Sequence, residues 1–277
     1  MARMLLGAQL RRMREKAGIT REEAGDVIRA SGSKISRLEL GRTGFKLRDV
    51  NDLLSIYGVH NDADRATLIA LAQQANTPGW WRAYSDVVPS WFEPYLGMEQ
   101  AARLIRCFEL QFIPGLLQTQ DYARTVIRLA DSDATETEIN LRVELRMRRQ
   151  ELLHQPDPPC LWAIIDEAVL RRPVGGAETM HRQIRHMIEL SRLRHVTIQV
   201  LPFSAGGHLI PGGAVTLLRF AEGHLPDVVY LEQLSSAVYL GKPAGTLPYW
   251  NVFNSLATEA HDPVASTETM RRQLNEL

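Results

Sequence analysis

Leu6-Gly7-Ala8-Gln9-Leu10-Arg11-Arg12-Met13-Arg14, Gly18-Ile19-Thr20-Arg21-Glu22-Glu23-Ala24 and Ser31-Gly32-Ser33-Lys34-Ile35-Ser36-Arg37-Leu38-Glu39-Leu40-Gly41 are the segments whose reading decides the fold. Leu6, Leu10, Met13 and Ala17 recur at helical spacing and predict one apolar helix face, with arginines on the other faces. Gly18 supplies the helix stop. Thr20 followed by Glu23 is a capping box, which predicts a second helix over 21–28 with Ala24 and Ile28 inward. Ser31 is an N-cap for a third helix that turns Ile35 and Leu38 inward and stops at Gly41. Outward from this core, Leu47, Val50, Leu53, Leu54 and Tyr57 predict a fourth helix closed by Gly58. A fifth is expected over 62–75, with Leu68, Leu71 and Ala72 on its apolar side.

The charge of the chain is divided. The whole sequence carries 32 Lys+Arg and 32 Asp+Glu and is formally neutral, which by itself argues against a polyanionic partner. Residues 1–48, however, hold 12 Lys+Arg and 5 Asp+Glu, a balance of +7, and the remainder holds 20 and 27, a balance of −7. Such asymmetry points to a basic binding module joined to an acidic body.

Short helices joined by a tight turn in a small basic bundle form a helix-turn-helix arrangement. The segments quoted above resemble the phage-repressor (Cro/CI, xenobiotic-response-element type) helix-turn-helix family from residue 5 to about 60, most specifically in Ile35-Ser36-Arg37-Leu38-Glu39-Leu40-Gly41. The resemblance implies double-stranded DNA as a partner, with the third helix in the major groove. Its outward positions are Gly32, Ser33, Ser36 and Arg37, and the fork of Arg37 suits the two acceptors on guanine. The other three are small, so shape and phosphate contacts are expected to contribute much of the selectivity. Arg21, Lys34, Arg42 and Lys46 are the phosphate candidates; the alternative for each is an ordinary solvated charge. Arg14 and Glu39 match positions that pair in this family, a structural role. The family often has a glycine in the turn before the third helix, where this sequence has Arg29 and Ala30.

Asn76-Thr77-Pro78-Gly79 breaks the helical pattern and reads as a linker. Trp80, Trp81, Tyr84, Trp91, Phe92 and Tyr95 follow as an aromatic cluster, suited either to an effector pocket or to packing where domains meet. Helices are then expected over 99–109, 118–129 and 136–154. The arginines of the last, Arg142, Arg146, Arg148 and Arg149, read as its solvated face. Beyond Pro156 the pattern becomes mixed. Strands are expected over 160–165, 196–201, 214–220, 228–234 and 237–240, and helices over 177–193, 246–260 and from Val264.

No catalytic constellation emerges, and neither an enzymatic activity nor a cofactor is expected. His181, His186 and His195 lack the spacing of metal ligands on one helix face and read as surface residues. Gly175-Gly176, Gly206-Gly207 and Gly212-Gly213 do not form a phosphate loop and read as turns. Asp166-Glu167 is a weak sign of acid–base chemistry, because neighbours on a strand face opposite ways. Cys107 and Cys160 sit among apolar residues and read as buried free thiols. The longest apolar run, Cys160 to Ile165, is far below the ~20 residues of a membrane span. With no signal-like N-terminus, a cytoplasmic location is expected.

The body has a resemblance of its own. Residues 112–124, Arg148-Arg149-Gln150, residues 166–172, Val174-Gly175-Gly176, residues 196–203 and residues 227–232 resemble the large C-terminal domain of actinobacterial WhiJ-like regulators. That resemblance implies a developmental or antibiotic-production regulator, often encoded beside a small partner protein in an antitoxin-like pairing. The expected architecture is α+β: an N-terminal all-α helix-turn-helix bundle over 1–75, a linker and aromatic interdomain segment over 76–97, and a mixed α+β body with a small β-sheet over 98–277. The expected function is a transcriptional regulator that binds a palindromic operator as a homodimer under control of its C-terminal domain by a small partner protein or ligand. The competing expectation is an antitoxin-like protein that neutralises a neighbouring-gene product and binds DNA only for autoregulation.

Overall fold

The computed structural model describes residues 2–77, 79–207, 213–221 and 225–277. Pro78 of the expected linker and Gly212 of one glycine pair lie outside the described residues. The chain divides into two compact units, one over residues 1–82 that also takes in Ala221 and Leu225, and the other over residues 83–220 and 226–277.

The first unit is helical: α1 (Ala2–Lys16), α2 (Arg21–Val27), α3 (Gly32–Glu39), α4 (Leu47–Ile56) and α5 (Asp62–Asn76). Leu6, Leu10, Ala24, Ile35, Leu38, Val50, Leu53, Leu54, Leu68 and Ala72 form its core, joined by Phe45 from the α3–α4 loop. Ala17 was expected on the inner face of α1 but lies past the helix end and is exposed. Asn76, expected as the first linker residue, closes α5 instead. Its side-chain amide accepts from the Phe45 N–H at 3.0 Å and donates back to the Phe45 carbonyl, which fixes the α3–α4 loop.

The second unit is α+β. Its elements are α6 (Glu93–Ala101), β1 (Leu104–Glu109), α7 (Gln120–Ala130), α8 (Glu136–Gln150), β2 (Cys160–Asp166), α9 (Glu167–Arg171), α10 (Ala177–Leu190), β3 (Val196–Leu201), β4 (Val215–Arg219), β5 (Val228–Glu232), β6 (Ala237–Leu240), α11 (Pro243–Glu259) and α12 (Pro263–Glu276). The strands form one sheet in the order β3-β2-β1-β4-β5-β6. β1, β2 and β3 run parallel, while β4, β5 and β6 continue the sheet antiparallel. Helical crossovers join the parallel strands, as parallel pairing requires.

The expected helix over 99–109 is corrected: it splits into the end of α6 and the strand β1. β1 lies between β2 and β4 and is buried on both faces, so it lacks the alternation that marks a half-exposed strand. Arg106 and Glu109 further break its apolar run.

The basic run on α8 is also corrected. Arg149 is 9% exposed and paired with Glu99 through bonds of 2.8 and 2.7 Å. Arg146 is half-buried and donates to Gln118 at 2.7 Å, and Arg142 meets Asp131 at 2.9 Å. Only Arg148 of the four is exposed. The helix faces the interior with its arginines because Glu99 and the 113–118 loop present carboxylate and carbonyl partners there. Gln150 donates to the Gly115 and Gln118 carbonyls, Gln118 to that of Ile113, and Gln183 to that of Leu117.

Several smaller expectations change. Cys107 is buried, but Cys160 is exposed at the start of β2. Asp166 and Glu167 straddle the strand end: Asp166 caps α9 through the Ala168 N–H, and Glu167 pairs with Arg171 and accepts from the Phe203 N–H. The three histidines are half-buried rather than on the surface, and His195 Nε2 lies 2.9 Å from the Leu153 carbonyl oxygen. Among the described residues no group of His, Cys, Asp and Glu is arranged to hold a metal, and no helix is long and apolar enough to cross a membrane.

Candidate nucleic-acid interface

The presentation of α3 follows from local chemistry at both of its ends. Thr20 and Glu23 close the capping box of α2 through bonds of 3.2 and 2.7 Å. Ser31 caps α3 by accepting from the Lys34 N–H at 3.3 Å. Between the two helices Arg29 adopts φ 55°, the only non-glycine residue with positive φ among those described. The turn therefore holds a left-handed residue, and an arginine rather than a glycine bears it. At the far end Gly41 takes φ +66°. α1 crosses α3 so closely that a Cβ on Gly7 would lie 2.5 Å from the Leu38 and Glu39 carbonyl oxygens.

Glu39 ties these helices together from inside. Arg14 Nε donates to Glu39 Oε1 at 2.5 Å and Arg14 Nη2 to Oε2 at 3.2 Å. Arg14 Nη1 also donates to the Ile19 carbonyl at 2.8 Å, fixing the α1–α2 loop. Arg14 and Glu39 are 7% and 6% exposed, so each charge depends on the other. The hydrogen bond to Glu39 holds the Arg14 guanidinium above its ordinary pKa, against the cost of burial.

Ile35 and Leu38 turn into the core, which leaves Ser33 and Arg37 exposed and Gly32 and Ser36 half-exposed on the other side of α3. The four readout candidates thus share the outward side of one helix. The phosphate candidates separate into two kinds. Arg42 and Lys46 are exposed and, with Arg37, make no side-chain hydrogen bond or ion pair with any described residue. Arg21 instead reaches Glu39 Oε2 at 3.3 Å, and Lys34 reaches Asp49 at 3.3 Å, linking α3 to α4. Both are partly neutralised within the protein. Arg48, not singled out from sequence, has a side chain 77% exposed in the first turn of α4, beside Lys46, with Asp52 at 3.8 Å. The +7 balance of the first 48 residues already contained it. Exposure was the missing information.

The aromatic residues do not stand as one group of six. Trp80 and Trp81 meet edge to face, with centroids 5.9 Å apart. Phe92 and Tyr95 stack at 5.3 Å in the second unit and draw in Tyr230 of β5, 4.3 Å from Tyr95, and Tyr239 of β6, 5.2 Å from Tyr230. Arg149 lies over Phe92 and Tyr95. Buried Tyr84 donates from its hydroxyl to Glu144 at 2.8 Å. Tyr230 and Tyr239 were missed because only sheet pairing brings them to this region.

Two family models match the chain. One, described as a domain of unknown function (DUF5753), covers residues 92–272, and the other, described as a helix-turn-helix domain, covers residues 5–68. No curated protein and no solved structure matches.

Proposed function

We propose that this chain, which belongs to the DUF5753 family and carries a DNA-binding helix-turn-helix domain ahead of that region, is a transcriptional regulator that binds a palindromic operator as a homodimer. The observation that carries this reading is the outward side of α3, where Arg37 is exposed and has no partner among the described residues, beside small residues, while Arg42 and Lys46 flank it. A bare guanidinium on a helix with little bulk around it can reach a guanine edge in the major groove. Two-fold regulators of this kind read half-sites about one helical turn apart. The likeness to WhiJ-like regulators supports control of this activity through the second unit by a small partner protein or a ligand. No catalytic step is assigned to it.

Selection of bound fragments from genomic DNA, followed by fluorescence anisotropy on the selected operator, tests the reading. Arg37→Ala should weaken operator binding by on the order of 1–3 kcal/mol and relax preference at one base pair. Equal affinity and selectivity in wild type and variant would remove Arg37 from base readout. If no sequence is enriched over random DNA, the regulator reading itself fails.

A further inference from the structure

We propose that the second unit holds a site for a free α-amino acid at the carboxyl ends of β1 and β5, between Arg146 and the carboxylates of Glu109 and Glu232. The ligand in the control proposed above is thereby named, and its role rests on that reading, while binding itself is measured without DNA.

One face of the sheet is open near its centre. Cys107 pairs with Thr216 and Thr216 with Tyr230, so these three side chains share a face. β4 has a strand on each side, yet Thr216 is half-exposed, while Val215 and Leu217 on the opposite face are buried. β1 and β5 both run antiparallel to β4. Glu109 and Glu232 each lie two residues beyond that row, and so stand on the same face at the same end of the sheet. Glu109 is half-buried and Glu232 exposed, which gives the recess an inner and an outer carboxylate.

Arg146 of α8 reaches the same place, since its charge and that of Glu109 act on each other. Its guanidinium is held by a neutral partner. Nη1 donates to Gln118 Oε1 at 2.7 Å, and Gln118 is fixed in turn by its bond to the Ile113 carbonyl. Nε and Nη2, which point the same way, bond to no described residue. The neighbouring Arg149 differs, because its fork is spent on Glu99. Glu109 likewise makes no side-chain hydrogen bond or ion pair with any described residue. A desolvated guanidinium and a desolvated carboxyl ordinarily close on each other, because each alone is costly. Here they stand apart, and both lack a counter-charge. Burial, then the charge of Arg149, lowers Arg146 to about 10, and burial, then the charge of Glu232, raises Glu109 to about 8.

An inorganic anion would satisfy Arg146 alone, and a simple amine the carboxylates alone. An α-amino acid serves both: its carboxylate fits the two open N–H groups of Arg146 side by side, and its ammonium faces Glu109 and Glu232.

Isothermal titration calorimetry of the full-length protein against each of the twenty standard L-amino acids tests the site. At least one should bind. Its N-acetyl and its amide derivatives, each lacking one charged end, should bind roughly 10- to 100-fold more weakly, as loss of a charged hydrogen bond implies. Arg146→Gln and Glu109→Gln should each weaken binding by a similar factor, and Arg185→Gln, exposed on α10, should not. Should Arg146→Gln fail to fold, Glu109→Gln and the blocked derivatives decide. No binding by any of the twenty at millimolar concentration overturns the inference, with water alone bridging the two groups. An amino acid that binds wild type and Glu109→Gln equally, or binds equally when either end is blocked, overturns it too. Each of these results leaves the regulator reading standing, which fails instead if no operator is selected.

Discussion

Arg37 and Arg149 both lie in the last turns of amphipathic helices, and the protein uses them in opposite ways. Arg37 on α3 is exposed, with no partner among the described residues. Arg149 on α8 is buried, forked onto Glu99 and laid over the Phe92 and Tyr95 rings. The contrast extends to the two units. In the helical unit the Arg14–Glu39 pair is internal, and most other cations face outward, where they are available to a polyanion. In the α+β unit charged groups enter the interior of the sheet: Arg106 on β1 is 2% exposed, donates to Asn254 and the Phe253 carbonyl, and sits against Trp162, Trp250 and Phe253. Burial, then the charge of Arg219, lowers the pKa of Arg106 to about 10. One unit leaves most of its cations facing outward, and the other uses charge to position its own helices.

The largest expected effect sharpens that contrast. Arg149→Ala leaves Glu99 buried without its partner and should destabilise the second unit by about 3–5 kcal/mol in denaturant unfolding. The double variant Glu99→Leu/Arg149→Met should recover most of that loss, because an apolar pair of similar volume leaves no charge uncompensated. Arg37→Ala should leave unfolding unchanged within about 0.5 kcal/mol. If Arg149→Ala unfolded like wild type, the internal role assigned to charge in this unit would collapse.

A second test uses pH. Burial, and after it the charge of Glu232, pushes the Glu109 carboxyl up to about 8 from an ordinary 4.5, with Arg146 opposing. A raised carboxyl pKa means that the folded state favours the protonated form. Its contribution is therefore complete below pH 4.5 and is lost as pH rises through about 8. Glu109→Gln keeps a neutral side chain of the same shape. It should gain stability over wild type on the order of 1–3 kcal/mol at pH 9 and little at pH 4. Parallel stability curves for the two proteins from pH 4 to 9 would show that Glu109 does not titrate there.

The first unit was legible from sequence because its helices are short, capped and amphipathic. Thr20, Glu23, Ser31 and Gly41 mark boundaries, and each inward leucine or isoleucine has polar neighbours to contrast with. The strands β2 to β6 were also legible, as runs of β-branched and aromatic residues between turns. β1 was not. A strand buried on both faces has no alternation, and Arg106 and Glu109 gave it the appearance of an amphipathic helix. The direction of the α8 arginines was hidden for a related reason. Helical spacing gives a face but not the identity of the partner across it, and Glu99 is fifty positions away in the chain. The free or engaged state of Lys34 and Arg21 was likewise invisible, since Asp49 and Glu39 reach them through the fold.

Salt dependence gives a third test, in affinity rather than stability. Operator binding should fall linearly in log Kd against log salt, even though the whole chain is neutral, because the cations that meet phosphate are local. Lys46→Ala should reduce the slope by about 1, and Lys34→Ala by less, because Lys34 is already paired with Asp49. Equal slopes for the two variants would show that the Lys34–Asp49 contact opens on DNA, and the division between free and engaged cations would then not survive binding.

The smallest expected effect concerns the turn that orients α3. Arg29 holds φ 55°, a conformation in which a Cβ crowds the following carbonyl at a cost of about 1–2 kcal/mol. Glycine removes that crowding but gains freedom in the unfolded chain, which offsets part of the benefit. Arg29→Gly should therefore stabilise the helical unit by only about 0.5–1 kcal/mol, read as a small rise in its unfolding midpoint. The arginine is exposed, so its removal also takes one cation from the basic unit. If Arg29→Gly is more stable yet binds the operator more weakly with a reduced salt slope, Arg29 belongs with the outward cations. The strained turn would then be kept for a phosphate contact. Should affinity and slope stay at the wild-type values, the side chain contributes nothing to DNA binding, and the left-handed turn alone is what the fold requires there.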